Sequence, residues 1–452
     1  MNLPIYDRLN ELTNKKYIYF CMPGHNHLQS KNGYTKEQKI VYNRLKKFEK
    51  SFFSLDTTEI EYTDNLADPR EVILESEKNI AKIYGAKRAF YLVNGSSVGV
   101  LASISTFTSF GEKIIIQDIS HKSVHNACEI KQLQKVIINT KYNSTYNYPE
   151  KIDLKELEQI LISNQEAKAV VITSPSYYGI VQDIKAVAKL VHRYDMKLIV
   201  DMAHGAHFAY YDGFPKFAVE QGADVAVCSF HKTLPSINQT ALLLANDSLS
   251  NEELANLQKS INIYQTTSPS YPMLVNMELV ADLLVRYCSK IYKEQEKLVK
   301  YFKKSMDFNI YSTKLTILPN DDFTRIVVNF QDFDINFAYE ILSKKFKIIP
   351  EMISEKNMVF ILNIFHTKGD IKRLANALKY ICRLEISNEK PDLGAENELY
   401  SYIKENIGKK SEKNLFIYPP GSIFIQKGEI IEDKHLTQIK YINSTSPTRI
   451  IE

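Results

Sequence analysis

The chain has 452 residues, with 57 Lys and Arg against 53 Asp and Glu, a net charge of +4 and 44% hydrophobic residues. At roughly 150 residues per domain that is about three units around a sizeable core, which excludes disorder over most of the length. The positive excess is spread along the chain rather than gathered in an arm or stripe, so no nucleic-acid partner is expected.

The first residues, Met1 to Lys16, carry acids and polar groups where a signal peptide needs an apolar run, and no window reaches the ~20 apolar residues of a membrane span. A cytoplasmic protein without a membrane partner is expected. The five cysteines, Cys21, Cys128, Cys228, Cys288 and Cys382, lie far apart with no C-x-x-C pair, against both a disulfide framework and a cysteine-based zinc site.

Residues 1–60 form a mostly polar, Lys-rich N-terminal segment with an apolar patch at Pro4 to Leu12 and a turn at Met22-Pro23-Gly24. Asp68 and Pro69 read as N-cap and first position of a helix to Tyr84, with Gly85 as its stop. The strand Ala89 to Val93 then leads through Asn94-Gly-Ser-Ser97 into a helix over Val98 to Phe107. The same beat recurs. Strands are expected at 113–117, 136–138, 169–173, 197–201, 223–229 and 241–244, with helices from Ser123, over Leu154 to Ile162, and over Ile184 to Tyr194 behind Asp183 as cap. Short β-branched runs alternating with helices call for a mostly parallel sheet covered on both faces. Residues 61–285 are therefore read as one large α/β domain. A long helix through Leu284 to Phe302, strands at 324–330 and 359–364, and a helix at 335–342 mark a smaller α+β domain over 286–392. Residues 393–452 add a helix and an extended tail.

Ligands of an open parallel sheet collect at the carboxyl ends of its strands. Four ends are chemically unusual. At Asn94 to Ser97, two hydroxyls sit at a helix start, suited to a phosphate or equally to plain capping. At Ser120 to His125, His121 is placed to reach over a ligand, or to be satisfied locally. Asp201 ends an apolar strand, where a buried carboxylate needs a cation, a helix to cap or an Arg partner. Lys232 follows the apolar run Ala223 to Cys228, with Ser229 and His231 beside it; its amine is either desolvated toward a nucleophilic range or a snorkelling surface group. Taken together, a phosphate cradle, a stacking ring, a carboxylate for a ring nitrogen and an amine for an aldehyde fit pyridoxal 5′-phosphate.

The same motifs resemble the fold-type-I pyridoxal-phosphate decarboxylases of ornithine, lysine and arginine, in the short bacterial form without an N-terminal receiver-like domain. The resemblance is carried by Met22-Pro-Gly-His25, Thr57-Thr-Glu59, Asp64 to Pro69, Phe90 to Ser97, His121-Lys-Ser123, Ser174 to Gly179, Asp201 to His207, Ser229 to Pro235, Gln265 to Tyr271 and Tyr418 to Gly421. It implies an aspartate-aminotransferase-like large domain with a smaller α+β domain. It further implies that Lys232 bonds the cofactor aldehyde, Asp201 pairs with the pyridine nitrogen, His121 stacks on the ring and His204 sits near its substituents. Ser96, Ser97, Ser229 and His231 would hold the phosphate, with Thr266 or Thr267 arriving from a partner subunit in a homodimer or higher homo-oligomer.

The implied activity is α-decarboxylation of arginine, lysine or ornithine, with His204 or Lys232 returning the proton. For the distal cation of such a substrate, Asp64, Asp68, Tyr177 and Tyr178 are candidates. The sequence departs from the family pattern at Met202, Asn26 and Cys21, which bears on the substrate. Rival readings are an aminotransferase or aldolase on the same fold and a non-catalytic scaffold. A metal-dependent hydrolase built on His25, His27, His121, His125, His204 and His207 lacks an identifiable further ligand, so no metal is expected.

Overall fold

Five-residue apolar runs make the centre of the molecule. In the computed structural model, which describes residues 2–306, 314–331, 333–384, 398–418, 422–436, 439 and 449–451, seven of them form one sheet. Their spatial order is Arg88–Leu92, Ala241–Ala245, Val225–Ser229, Lys197–Asp201, Ala169–Thr173, Lys113–Gln117, Gln134–Ile138. The last five are mutually parallel, and Ala241–Ala245 runs antiparallel to both of its neighbours. Alternate residues explain why these strands read as continuous apolar runs. Val170, Ile172, Leu198 and Val200 enter one core, whereas Ala169, Val171, Ile199 and Val225 enter another on the opposite face. Side chains alternate across a strand, so a sheet with helices on both faces needs apolar residues at every position.

This topology gathers the unusual strand ends. Thr173 lies opposite Asp201, and Asp201 opposite Val227, so the segments after these strands leave the sheet at one edge. Leu92 and Ser229 both flank Ala241, which brings the turn after Arg88–Leu92 to the same edge.

A second, antiparallel sheet has the order Met352–Ile353, Asn357–Ile361, Arg325–Phe330, Leu315–Leu318. Helices Ile335–Glu340 and Lys368–Arg383 pack over it around Ile326, Val328, Phe360 and Leu374. The N-terminal segment joins this unit, since Ile18–Phe20 pairs in parallel with Ile348–Pro350. The helix expected from Leu284 begins earlier: Tyr271–Met306 is continuous over 36 residues and crosses residue 285. At 1.5 Å per residue it spans about 54 Å. Its Leu284 and Ile291 enter the core of the large sheet, and its Val299, Phe302 and Met306 that of the small one.

The helix expected from Pro69 starts at Val72. Asp68 does not cap it but pairs with the Arg70 guanidinium at 2.5 Å. The carboxylate of Asp64 takes over, accepting N–H groups of Arg70, Glu71 and Ile73 at 3.1, 2.8 and 3.1 Å. A cap from upstream satisfies the orphan donors as well as one at the N-cap position. The tail holds the expected helix, Glu398–Glu405, but its extended stretch folds into a three-stranded antiparallel sheet, Ser422–Ile425, Leu415–Tyr418, Arg449–Ile451. Pro419, Pro420 and Gly421, and the expected boundary at 392–393, lie outside the described residues. Among the described residues no helix is long and apolar enough to cross a membrane.

Candidate active site

The carboxyl edge of the large sheet opens into a cavity of about 790 Å³. Its walls include Ser96, Ser97, His121, Asp201, His204, His231 and Lys232, seven of the ten residues singled out from the sequence. Ser229 is buried just behind them and donates from its hydroxyl to Oγ of Ser96 at 2.8 Å. Thr266 and Thr267 are exposed and outside these walls; the Thr266 N–H donates to Oδ1 of Asn94 at 2.9 Å.

Each side chain owes its place to a local feature. Gly95, at φ 79°, turns the chain from strand into the helix Ser96–Phe107, a conformation that favours glycine. No side chain caps that helix, so its two serines are not N-caps and its first N–H groups stay available to an anion. His121 is itself the N-cap of Lys122–Ile130, where its Nδ1 accepts the Ser123 N–H at 3.2 Å. Asp201, 4% exposed, neither caps a helix nor meets an Arg among the described residues: its Oδ1 accepts the Ala203 N–H at 3.0 Å. Lys232 follows Val225–Ser229, and its Nζ lies 3.3 Å from Nε2 of His204. His231 turns its Nδ1 to the Thr240 carbonyl at 3.0 Å.

The electrostatics follow from burial. Burial raises the Asp201 carboxyl above its ordinary range, against the opposing charge of Lys232. Desolvation lowers the Lys232 amine, against the charge of Asp201. Burial, then the charge of Lys232, pushes the His121 imidazole down to about 3. His231 falls to about 4, chiefly through burial. The site thus gathers imidazoles disfavoured as cations around the Lys232 amine and the Asp201 carboxyl.

Two charged residues escaped the sequence reading. Arg325, 1% exposed, heads the strand Arg325–Phe330 and places Nη2 3.4 Å from Nδ1 of His204. Glu351, 5% exposed, accepts the hydroxyl of Tyr177 and, at 2.8 Å, the N–H of Met22. The Tyr177 ring in turn meets the His204 ring at 4.5 Å and 64°. A charge interrupting an apolar run, as at Ile348-Ile-Pro-Glu-Met-Ile353, was the available signal. Of the candidates for a distal cation, Tyr177 and Tyr178 line the cavity, whereas Asp64 is spent on the helix start and Asp68 on the Arg70 guanidinium. Glu355, Tyr142 and Asn147 stand in the wall instead.

His207, His125 and Met202 are engaged elsewhere. His207 points its Nε2 at Asp322, 3.2 Å away, and His125 packs against Phe416. Among the described residues no group of three or more His, Cys, Asp or Glu is disposed to hold a metal. Met202 is buried in the large core, with its sulfur accepting the Ala218 N–H at 3.4 Å.

The donor set fits pyridoxal phosphate. Hydroxyls and free helix N–H groups suit the phosphate, and the buried Asp201 carboxylate suits a protonated ring nitrogen. Lys232 supplies the amine, and the Thr173 hydroxyl, at the cavity wall, has no hydrogen-bond partner among the described residues. A seven-stranded, mostly parallel sheet with these groups at its carboxyl edge and a small α+β unit beside it is the fold-type-I architecture of pyridoxal-phosphate enzymes. Within that class, the model of the Orn/Lys/Arg decarboxylase major domain matches residues 3–321, and the chain belongs to that family. The family and its fold are pyridoxal-phosphate-dependent.

The chain is 26% identical over 473 residues to the uncharacterized protein YaaO of Bacillus subtilis (strain 168), covering 98% of this chain and 95% of that one. It is 24% identical over 467 residues to the arginine decarboxylase of the same organism, covering 96% and 92%. Among solved structures, the Escherichia coli constitutive lysine decarboxylase superposes with a TM-score of 0.71 at 17% identity, covering 99% of this chain and 80% of that one.

Proposed function

We propose that the protein is a pyridoxal-phosphate-dependent α-decarboxylase of a basic amino acid, arginine, lysine or ornithine, releasing CO₂ and the corresponding amine. The observation that carries this is the meeting, in the wall of one cavity, of the Lys232 amine and the Asp201 carboxylate, beside the serines of an uncapped helix start. Bound pyridoxal phosphate supplies an electron-poor ring that takes up the electron pair of the breaking Cα–carboxylate bond.

The residues of the chain prepare and direct that event. Lys232, with its amine depressed, would hold the cofactor through its aldehyde. Asp201 would keep the ring nitrogen protonated, and His121, disfavoured as a cation, would stack on the ring. Ser96, Ser97, Ser229, His231 and the first N–H groups of the helix would hold the phosphate. The Lys232 ammonium would deliver the proton that replaces the carboxylate at Cα.

Glu355, with the rings of Tyr142 and Tyr178, lines the part of the wall suited to a distal cation, which supports a basic substrate. The reading also takes the chain as a homodimer or larger homo-oligomer. The exposed Phe53, Ile60, Tyr62 and Val72, all apolar or aromatic, support an extended contact between copies, and Thr266 or Thr267 would serve the partner's cofactor.

The test is to load the purified protein with pyridoxal phosphate, incubate it separately with arginine, lysine and ornithine, and measure CO₂ and amine. Stoichiometric release with one of the three is expected. Failure with all three removes the substrate class, and release of a keto acid or aldehyde instead removes the reaction.

A further inference from the structure

His204 stands between two basic groups. Its Nε2 is 3.3 Å from Nζ of Lys232, and its Nδ1 is 3.4 Å from Nη2 of Arg325, which is also 3.4 Å from the His204 carbonyl oxygen. A guanidinium only donates hydrogen bonds and does not lose its proton in a protein. The nitrogen facing it has to offer a lone pair, and a neutral imidazole with Nδ1 as acceptor carries its proton on Nε2. The opposite tautomer aims one N–H at another beside the buried guanidinium, where an unpaired donor is costly, whereas the Nε2–H faces the Lys232 amine, which desolvation drives toward its neutral, lone-pair-bearing form.

The doubly protonated ring is disfavoured by the same surroundings. Burial first, and then the charges of Lys232, Arg325, His121 and His231, hold His204 well below the ordinary histidine range.

Arg325 is not free to turn away. Its side chain is buried against Gly179, where an added Cβ would come within 3.0 Å of the arginine Cβ and Cγ. Its Nη1 lies 4.0 Å from the Asp322 carboxylate and 3.5 Å from Oγ1 of Thr324. Asp322 is itself fixed by the Thr324 hydroxyl at 2.6 Å and by His207 at 3.2 Å. An anchored cation in the small unit thereby reaches the back of a ring in the large one.

We propose that Arg325 is a positioning residue that locks His204 as the neutral Nε2–H tautomer, so that the cavity wall beside Lys232 presents a standing hydrogen-bond donor and no acid. The consequence for catalysis rests on the decarboxylase reading above: the proton delivered to Cα comes from Lys232 and not from His204. The tautomer itself is a property of the chain alone.

The experiment is ¹⁵N NMR of the full-length protein with labelled histidines, with and without pyridoxal phosphate, the His204 signals being assigned by their loss in His204→Asn. Expected in the cofactor-free protein is a proton on Nε2 and a bare Nδ1, unchanged across the neutral pH range. In Arg325→Met the proton should distribute over both nitrogens, and Arg325→Lys, which keeps a cationic donor, should largely restore Nε2–H. With the cofactor and the reactive amino acid, Arg325→Met should lower kcat by about tenfold or more with KM changed by less than about threefold. A proton on Nδ1, a doubly protonated ring near neutral pH, or an unchanged tautomer in Arg325→Met overturns the proposal. The wild-type spectrum decides the first two even where Arg325→Met does not fold. A protein that fails to bind pyridoxal phosphate instead overturns the decarboxylase reading, and the cofactor-free spectrum then still decides the tautomer.

Discussion

Asp201 and Asp370 are equally hidden, at 4% and 6% exposure, yet they behave in opposite ways. Asp370 sits in the first turn of Lys368–Arg383, accepts the N–H and hydroxyl of Thr367 at 2.8 and 3.0 Å and meets the Lys31 ammonium at 3.1 Å. Burial alone would raise its carboxyl, but Lys31 and neighbouring His366 hold it below the ordinary range. Asp201 forms no ion pair among the described residues, accepts the Ala203 N–H, and is raised by burial. One carboxylate is fully answered by its own chain; the other is kept waiting. A buried charge that the fold satisfies reports on architecture, and one that it leaves short reports on a ligand.

Substitutions on the two sides should part accordingly. Lys232→Ala is expected to abolish decarboxylation, by on the order of a thousandfold or more. It should also abolish the borohydride-fixed bond to the cofactor while leaving thermal unfolding within a few degrees of wild type; surviving activity would break the assignment. Asp201→Asn keeps the shape and removes the charge, and kcat should fall by about a hundredfold. Its stability should not fall, because the folded protein disfavours this charge. The folded pKa lies above the unfolded one, so the wild type loses stability as pH rises through that window, and denaturant titrations of the two proteins should diverge in the same direction.

Asp370→Ala inverts the pattern. It should cost about 3 kcal/mol in denaturant unfolding near neutral pH, because it strands Lys31 and removes half of a capping box, with kcat nearly unchanged. Here the folded pKa is depressed, so the contribution is present above the unfolded value and lost as pH falls through the folded one. The gap between wild type and variant should close on acidification. The mildest effect is expected from Glu355→Gln: KM for the reactive basic amino acid should rise by about fivefold with kcat retained. An unchanged KM would remove Glu355 from the substrate's path.

The parts legible in the sequence are those decided locally. Strands Lys113–Gln117, Ala169–Thr173 and Lys197–Asp201 fall where their apolar runs put them, because burial on both faces leaves no polar position to blur the ends. Asp183 caps Ile184–His192 as its position suggested, donated to by the Ala186 N–H at 3.1 Å. Residues acting across long separations were not legible. Glu351 and Met22 are 329 positions apart, and Arg325 and His204 are 121 apart. No periodicity links such partners, so the sequence placed the groups on the large sheet's edge and missed those arriving from the small unit. The helix start at Val72 was misplaced for a related reason: its cap comes from Asp64, beyond the first turn.

The helix Tyr271–Met306 has its two ends planted in different cores. A girder bolted at both ends does not act as a hinge. Any change in the spacing of Arg325 and Glu351 on the one side and Lys232 on the other therefore has to be accommodated by bending of this one helix.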